Sequence, residues 1–313
     1  METRIYCESC DASAAIRLGT TTLFVIASDE DNVLRVFNRD RAGVPITRYD
    51  VTSFLEPDDP EHSEADIEGA ARIDKRIYWI GSHGRSRKGE LREVRQRFFA
   101  TTVEWDEYRA TLEVVGVPYR HLLEDLFNAE SLRPFNLEEA ATRAPEAPGG
   151  LNIEGLATTP AGELLIGFRN PIPDGRALLV RMRNPAAVVE GRERAVLDLA
   201  GHLDLGGRGI RAMEYVLPTR SYVILAGASD DKKDFAVYGW NGTPDAVPTH
   251  LYVEDFDIIN PEECVFVGRG PRDVLIDFLS DDGTKRCKHI AVERRTFRGT
   301  TYGVNLPGPK PVW

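Results

Sequence analysis

No stretch of this 313-residue sequence approaches the roughly 18 consecutive apolar residues that a membrane-spanning helix requires. Its start, METRIYCESCDASAAIRLG, lacks the basic segment and apolar core of a signal peptide, so a cytoplasmic location is expected. Positive charge is in deficit as well: 39 Lys and Arg face 50 Asp and Glu, for a formal net charge of −11. That balance argues against a nucleic-acid or anionic-membrane partner, since either needs clustered basic residues. It is compatible with a cation ligand.

Cysteine is sparse. Cys7 and Cys10 form a lone Cys-x-x-Cys, while Cys264 and Cys287 stand far away. Structural zinc sites show two close pairs, so these four are expected to be small buried hydrophobes in a reducing compartment. Also missing are a phosphate-binding Gly-rich loop, a Gly-x-Ser-x-Gly elbow, His-Glu-x-x-His and a dinucleotide fingerprint. A covalent nucleophile therefore has no support from spacing.

What is abundant is turn chemistry, with 27 glycines and 19 prolines, alongside 42% hydrophobic residues that can build a large core. Self-similarity organises it. DIEGAARIDKRIYWIGSHGR (66–85) aligns without a gap on NIEGLATTPAGELLIGFRNP (152–171), and RAMEYVLPTRSYVILAGASDDK (211–232) is a further copy. Thirteen positions separate Glu68 from Gly81, Glu154 from Gly167 and Glu214 from Gly227. NPEECVFVGRGPRDVLIDFLSDDG (260–283) repeats the pattern from Glu263 with a longer turn, and DASAAIRLGTTTLFVIASDEDN (11–32) carries Ser13 in place of Glu.

Each hairpin is followed by two more apolar runs: VLRVFN and ITRYDV, ELREVRQ and TLEVVG, ALLVRM and AVLDLA, FAVYGW and THLYV, KHIAVE and TTYGVN. Four short strands repeated five times predict an all-β fold, a β-propeller of five four-stranded blades in one domain over residues 1–313. A sixth, degenerate blade hidden in the insert is the alternative. IYC near the start can pair with the outer edge of the last blade and close the ring. Residues 118–150 break the repeat: Leu122, Leu123, Leu126 and Phe127 have helical spacing, and a Pro/Gly-rich linker follows. They read as a helical insertion between the second and third blades, either packing a wedge or covering a site.

In an up-and-down blade the start of strand one and the end of strand two share a face. Glu68, Glu154, Glu214 and Glu263 would therefore converge near the axis, surrounded by the loops SDEDN, SHGR, FRNP, SDDKKD and SDDG. Two carboxylates about 6 Å apart repel by roughly 3 kcal/mol at an effective dielectric near 20, so four need compensation. An oxygen-only ring favours a hard cation, Ca²⁺ or else Mg²⁺, over zinc. Arg85, Arg169 and Arg211 lie in or beside the same segments and offer instead a structural strut. Shifted pKa values with a proton-transfer role are the third option. His83, the only histidine in these loops, is a candidate general base. Arg169 and Asn170 are candidates to hold an anionic group of a small-molecule substrate.

The motifs DIEGAA (66–71) and NIEGLA (152–157), with PGGLNIEGLA and IGFRNP, resemble a bacterial domain-of-unknown-function family of the β-propeller group. The likeness spans nearly the whole chain and implies the fold, with no activity attached. More distantly, Glu154 in NIEGLA looks like the motif glutamate of phytase-like esterases. The axial carboxylates are similar in arrangement to those of calcium-dependent gluconolactonases and paraoxonases. Those likenesses imply a metal-assisted hydrolase of a small ester, lactone or phosphoester; Ser13 and the lack of a lactonase-type Asn–Asp set depart from them. The competing expectation is a non-catalytic propeller that recruits a protein partner.

Overall fold

The computed structural model describes residues 2–230, 232–253, 256, 259–269, 273–283 and 289–307. Within them five four-stranded antiparallel sheets form a five-bladed propeller. The first blade is Ala14–Arg17, Leu23–Ser28, Asp31–Asn38 and Thr47–Asp50; the second is Ile67–Ile73, Arg76–Gly81, Phe98–Trp105 and Ala110–Tyr119. The third is Asn152–Thr158, Leu164–Asn170, Ala177–Met182 and Leu197–Leu203, and the fourth Gly209–Val216, Ser221–Gly227, Phe235–Trp240 and Thr249–Leu251. The fifth is composite. Pro261–Arg269, Val274–Ser280 and Thr296–Val304 are completed at the outer edge by the N-terminal strand Glu2–Cys7.

The strands are apolar on both sides because each sheet is sandwiched between two others. In the second blade Ile77 and Trp79 pack toward the first blade, while Tyr78 and Ile80 pack toward the third. The period of two divides one apolar run between two interfaces. One hydrophobic cluster fills each of the five wedges. Where the ring closes, Tyr6 of the N-terminal strand stacks on Phe297 at 5.1 Å and meets Phe24 and Phe37 edge-on. Losing such a buried ring costs about 3–5 kcal/mol. Near the axis the third and fourth blades touch through glycine. A Cβ on Gly155 or Gly167 would lie 2.6 or 2.7 Å from Ile210 Cγ2.

Two expected strands are not strands. ELREVRQ (90–96) holds only a 3₁₀ turn at Glu93–Arg95, and the third strand is Phe98–Trp105. A run carrying Glu90, Arg92, Glu93 and Arg95 cannot lie in a sheet buried on both faces. In the last blade, KHIAVE (288–293) gives a turn over Val292–Arg294, with Lys288 outside the described residues. The strand containing TTYGVN is third rather than fourth, because IYC takes the outer edge, with Ile5 opposite Arg298.

The segment after the second blade forms a helix at Leu122–Asn128, a 3₁₀ stretch at Glu130–Phe135 and a short helix at Leu137–Ala140. Leu122, Leu123 and Leu126 are buried in the wedge between the second and third blades. Its downstream end reaches the axial face, where Asn170 Nδ2 donates to Pro145 O at 2.7 Å and to Ala147 O at 2.8 Å. Among the described residues no helix is long and apolar enough to cross a membrane. Cys7 and Cys264 are free thiols, but Cys10 is disulfide-bonded, contrary to the expectation of four free thiols; Cys287 lies outside the described residues.

Candidate metal centre on the axial face

A β-bulge at the start of the inner strand in the second to fifth blades sets the site. Glu68 is the extra residue between Ile67 and Gly69, and Glu154 is that between Ile153 and Gly155. A bulged residue leaves the ladder, and its side chain is re-aimed. In the fourth and fifth blades the bulges fall on Arg211 and Glu262. The structural counterparts of Glu68 and Glu154 are therefore Arg211 and Glu262, and the four-glutamate ring does not assemble as the repeat suggests. Glu214 lies three residues further along its strand. Glu263 is one residue too far, and its carboxylate accepts from Cys264 N at 2.7 Å and Ala15 N at 3.2 Å, tying the fifth blade to the first.

On one side of the axis charge is balanced by arginine. Glu154 is 3% exposed; its Oε1 accepts from Arg169 Nη1 at 2.9 Å and Asn152 Nδ2 at 2.8 Å. Arg211 Nε lies 3.6 Å from Glu154 Oε2, and Arg211 Nη2 donates to Glu262. Arg169 Nε donates to Ala228 O and its Nη2 to Asp230 O. Burial pushes Glu262 up to about 7, against the pull of Arg211.

On the other side carboxylates crowd without enough cations. One oxygen each from Asp29, Asp66 and Glu68 lies within 4.8 Å of the others. Arg95 Nη1 donates to Asp66 at 2.8 Å, and its second amino group faces Glu64 at 3.4 Å. Asp29 and Glu68 have neither hydrogen bond nor ion pair among the described residues. Burial, then the charges of Glu154, Asp66 and Asp29, hold Glu68 well above the usual carboxylate range. Burial and Asp11 do the same to Asp29. Asp11, 3% exposed, accepts from Ser28 Oγ at 3.0 Å through Oδ2, while its Oδ1 is buried with no donor. An oxygen-only set with an unanswered buried acceptor beside it fits a hard divalent cation and not zinc.

The other expected site residues sit differently. His83 is buried, with Nδ1 against Gly81 O at 2.8 Å. Burial lowers its pKa to about 4, and the charge acting on it is Arg97, not a carboxylate. The structure does not bring it to the acidic cluster. Every side-chain nitrogen of Arg169 and the amide nitrogen of Asn170 donate to the protein itself. Arg85 donates to Ala141 O and Gly89 O, so it is no strut for the glutamates, whereas Arg169 and Arg211 are. Asp11, Asp29, Asp66, Arg95 and Glu262 were missed. A signal for two of them existed: Asp66 stands two residues before Glu68, and Asp11 two before Ser13.

Fold and site together define a five-bladed propeller with an acidic axial face. The chain belongs to the family described as protein of unknown function (DUF3616), whose model matches residues 11–117 and 109–263. No curated protein matches the sequence. Among solved structures the chain is similar to glutaminyl cyclase from Myxococcus xanthus, at 11% identity and TM-score 0.45, covering 97% of this chain and 95% of that one. It is also similar to the calcium-binding protein regucalcin from Agrobacterium tumefaciens, at 9% identity and TM-score 0.40, covering 100% and 98%. The exo-β-1,3-galactanase of Phanerochaete chrysosporium gives 7% and 0.48, covering 96% and 63%. The chain spans 57% of the length of a hydrazine synthase chain from Kuenenia stuttgartiensis that it also matches, at 8% identity and TM-score 0.39 over 88% of this chain. Likeness at this level carries no statement about chemistry.

Proposed function

We propose that the protein is a divalent-cation-dependent hydrolase of a small ester, lactone or phosphoester, with Ca²⁺ (or Mg²⁺) held by Asp29, Asp66 and Glu68. The observation that carries this is the convergence of three carboxylate oxygens within 4.8 Å, two of them from side chains with no partner among the described residues. A bound cation would supply Lewis-acid polarisation of a substrate oxygen and would acidify a water. The chain's own part is to fix the ligands. Asp66 is pinned by Arg95, and Glu154 and Glu262 are held back by Arg169 and Arg211. Asp11, whose Oδ1 has no donor among the described residues and whose charge acts on Asp29, is the candidate to accept or return a proton.

Calorimetric titration of the purified chain with Ca²⁺ and Mg²⁺ tests the centre, and a panel of aryl ester, lactone and phosphoester substrates with and without chelator tests the reaction. The expected result is one site per chain, lost in Asp29→Asn and Glu68→Gln. At about 100 times Kd the ion should add about 2.7 kcal/mol of stability. No bound divalent ion and an unchanged melting temperature would sink the reading. A second reading, a non-catalytic propeller that recruits a protein partner, is favoured by the locking of Glu154 between Arg169 and Arg211. It predicts cation binding without turnover, or neither.

A further inference from the structure

The axis has a second end, away from the carboxylates. There the inner strands of all five blades line a cavity of about 700 Å³, a size suited to a small organic ligand. Its walls include Ile16, Ala70, Leu156, Met213 and Phe266, and three charged side chains enter it: Arg17, Arg72 and Glu214. Asp74 stands exposed at the rim. Arg17 has spent its guanidinium on backbone, donating to Thr21 O at 2.8 Å, Val267 O at 2.5 Å and Thr20 O at 3.0 Å. Arg72 has not. Its Nη1 donates to Asp74 O at 2.5 Å, its Nε is buried without an acceptor, and the group lies 5.3 Å from the Trp105 ring centroid. Glu214 makes no hydrogen bond or ion pair among the described residues.

We infer that this cavity binds a small organic monocarboxylate with an apolar body, its carboxylate beside Arg72 and Glu214 and its chain against Leu156, Met213 and Phe266. The walls select an apolar body, but a plain hydrocarbon would leave Arg72 Nε without an acceptor and the Glu214 carboxyl without a hydrogen bond, which is costly. The sign of the head group follows from the charges. Two guanidiniums act on one carboxyl, and burial pushes Glu214 up to about 8 despite them. In its protonated form Glu214 donates a hydrogen bond, and with Arg72 it offers an incoming carboxylate two donors. An organic ammonium would have to enter beside two guanidiniums. The site is independent of the acidic face, since none of Asp29, Asp66 and Glu68 lines it.

The three methionines provide a direct readout on the full chain. Met213 lines the cavity, whereas Met182 is packed in the wedge between the second and third blades. With ¹³C-methyl methionine labelling, hexanoate is expected to move the Met213 signal saturably and leave Met182 in place. Hexylammonium and hexanol at equal concentration should not. Arg72→Met should weaken hexanoate by about tenfold or more, while Glu214→Gln, which keeps a donor, should stay within about threefold. Glu68→Gln should change nothing. The inference is overturned if hexanoate leaves Met213 unmoved at millimolar concentration. It is equally overturned if hexanol matches hexanoate, or if hexylammonium binds and Glu214→Gln abolishes it. The measurement on the unmodified chain stands whether or not the variants fold.

Discussion

The two sides of the axial face meet one electrostatic problem in opposite ways. Toward the third to fifth blades, Glu154 and Glu262 are held by Arg169 and Arg211 in a paired network. Toward the first and second blades, Asp29 and Glu68 face other carboxylates, and the nearby Arg95 is spent on Asp66 and Glu64. A buried acid inside a paired network is costly to remove, because its partners are left charged and alone. An acid pressed against like charges is a liability that only a cation, or a proton, relieves. A ring of glutamates in a propeller is thus two things: a strut on one side and an open coordination set on the other.

The most forceful way to break that comparison is to make the same substitution on both sides. Glu154→Gln should lose about 4 kcal/mol in chelator, because Arg169 and Arg211 are left without their shared counter-charge. Glu68→Gln in chelator should instead gain about 1 kcal/mol, since a repelled buried charge is removed. Urea denaturation of both variants, with and without Ca²⁺, checks the signs. Equal losses would show that the two sides are one network after all.

How much of this was legible in the sequence turns on the bulges. The blade count, ring closure by IYC and the insertion's buried leucines follow from period-two runs and helical spacing. Glu68 and Glu154 sit in short copies of one motif, so their pairing as equivalents survives in three dimensions. Glu214 and Glu263 do not, because counting back from a glycine assumes hairpins of equal length. Gly81 pairs with Ile67, one residue before its bulge, Gly167 with Gly155, one residue after, and Gly227 with Gly209, two residues before, so the glycine marks no fixed distance from the bulged position. Asp29 comes from the loop SDEDN, whose acidic residues also suit a hairpin turn. Its convergence with Asp66 depends on how adjacent blades lean together, and no single repeat encodes that.

A milder test lies at the far end of the axis, where one carboxyl is neither strut nor coordination set. Glu214 in the folded chain is pushed up to about 8, chiefly by burial, from an ordinary value of 4.5. Between those values the folded state binds more protons than the unfolded one, so stability falls as pH rises from 4.5 to 8. Its stabilising share is complete below 4.5. Glu214→Gln should flatten that fall and leave the variant more stable than the parent at pH 8, on the order of 2 kcal/mol after allowance for solvent in the cavity. Thermal melts across pH 4.5–8 measure it; a parallel pair of curves would place the slope elsewhere.

The smallest effect belongs to His83, and it carries the opposite sign. Burial lowers its pKa from 6.5 to about 4, so the folded chain prefers the neutral imidazole and the unfolded chain binds the extra proton. Its contribution is therefore present in full above pH 6.5 and is lost as pH falls through 4. Between 4.5 and 6.5 this rise with pH opposes the fall due to Glu214 and the other raised carboxyls, Glu262 among them, and above 6.5 only falling contributions remain. His83→Gln should remove the rising limb while leaving Ca²⁺ affinity and any hydrolytic turnover near those of the parent. Proton NMR of the His83 ring checks the first part by showing no titration near pH 6.5. A loss of turnover with unchanged stability would instead return His83 to the acidic face as its base and remove that role from Asp11.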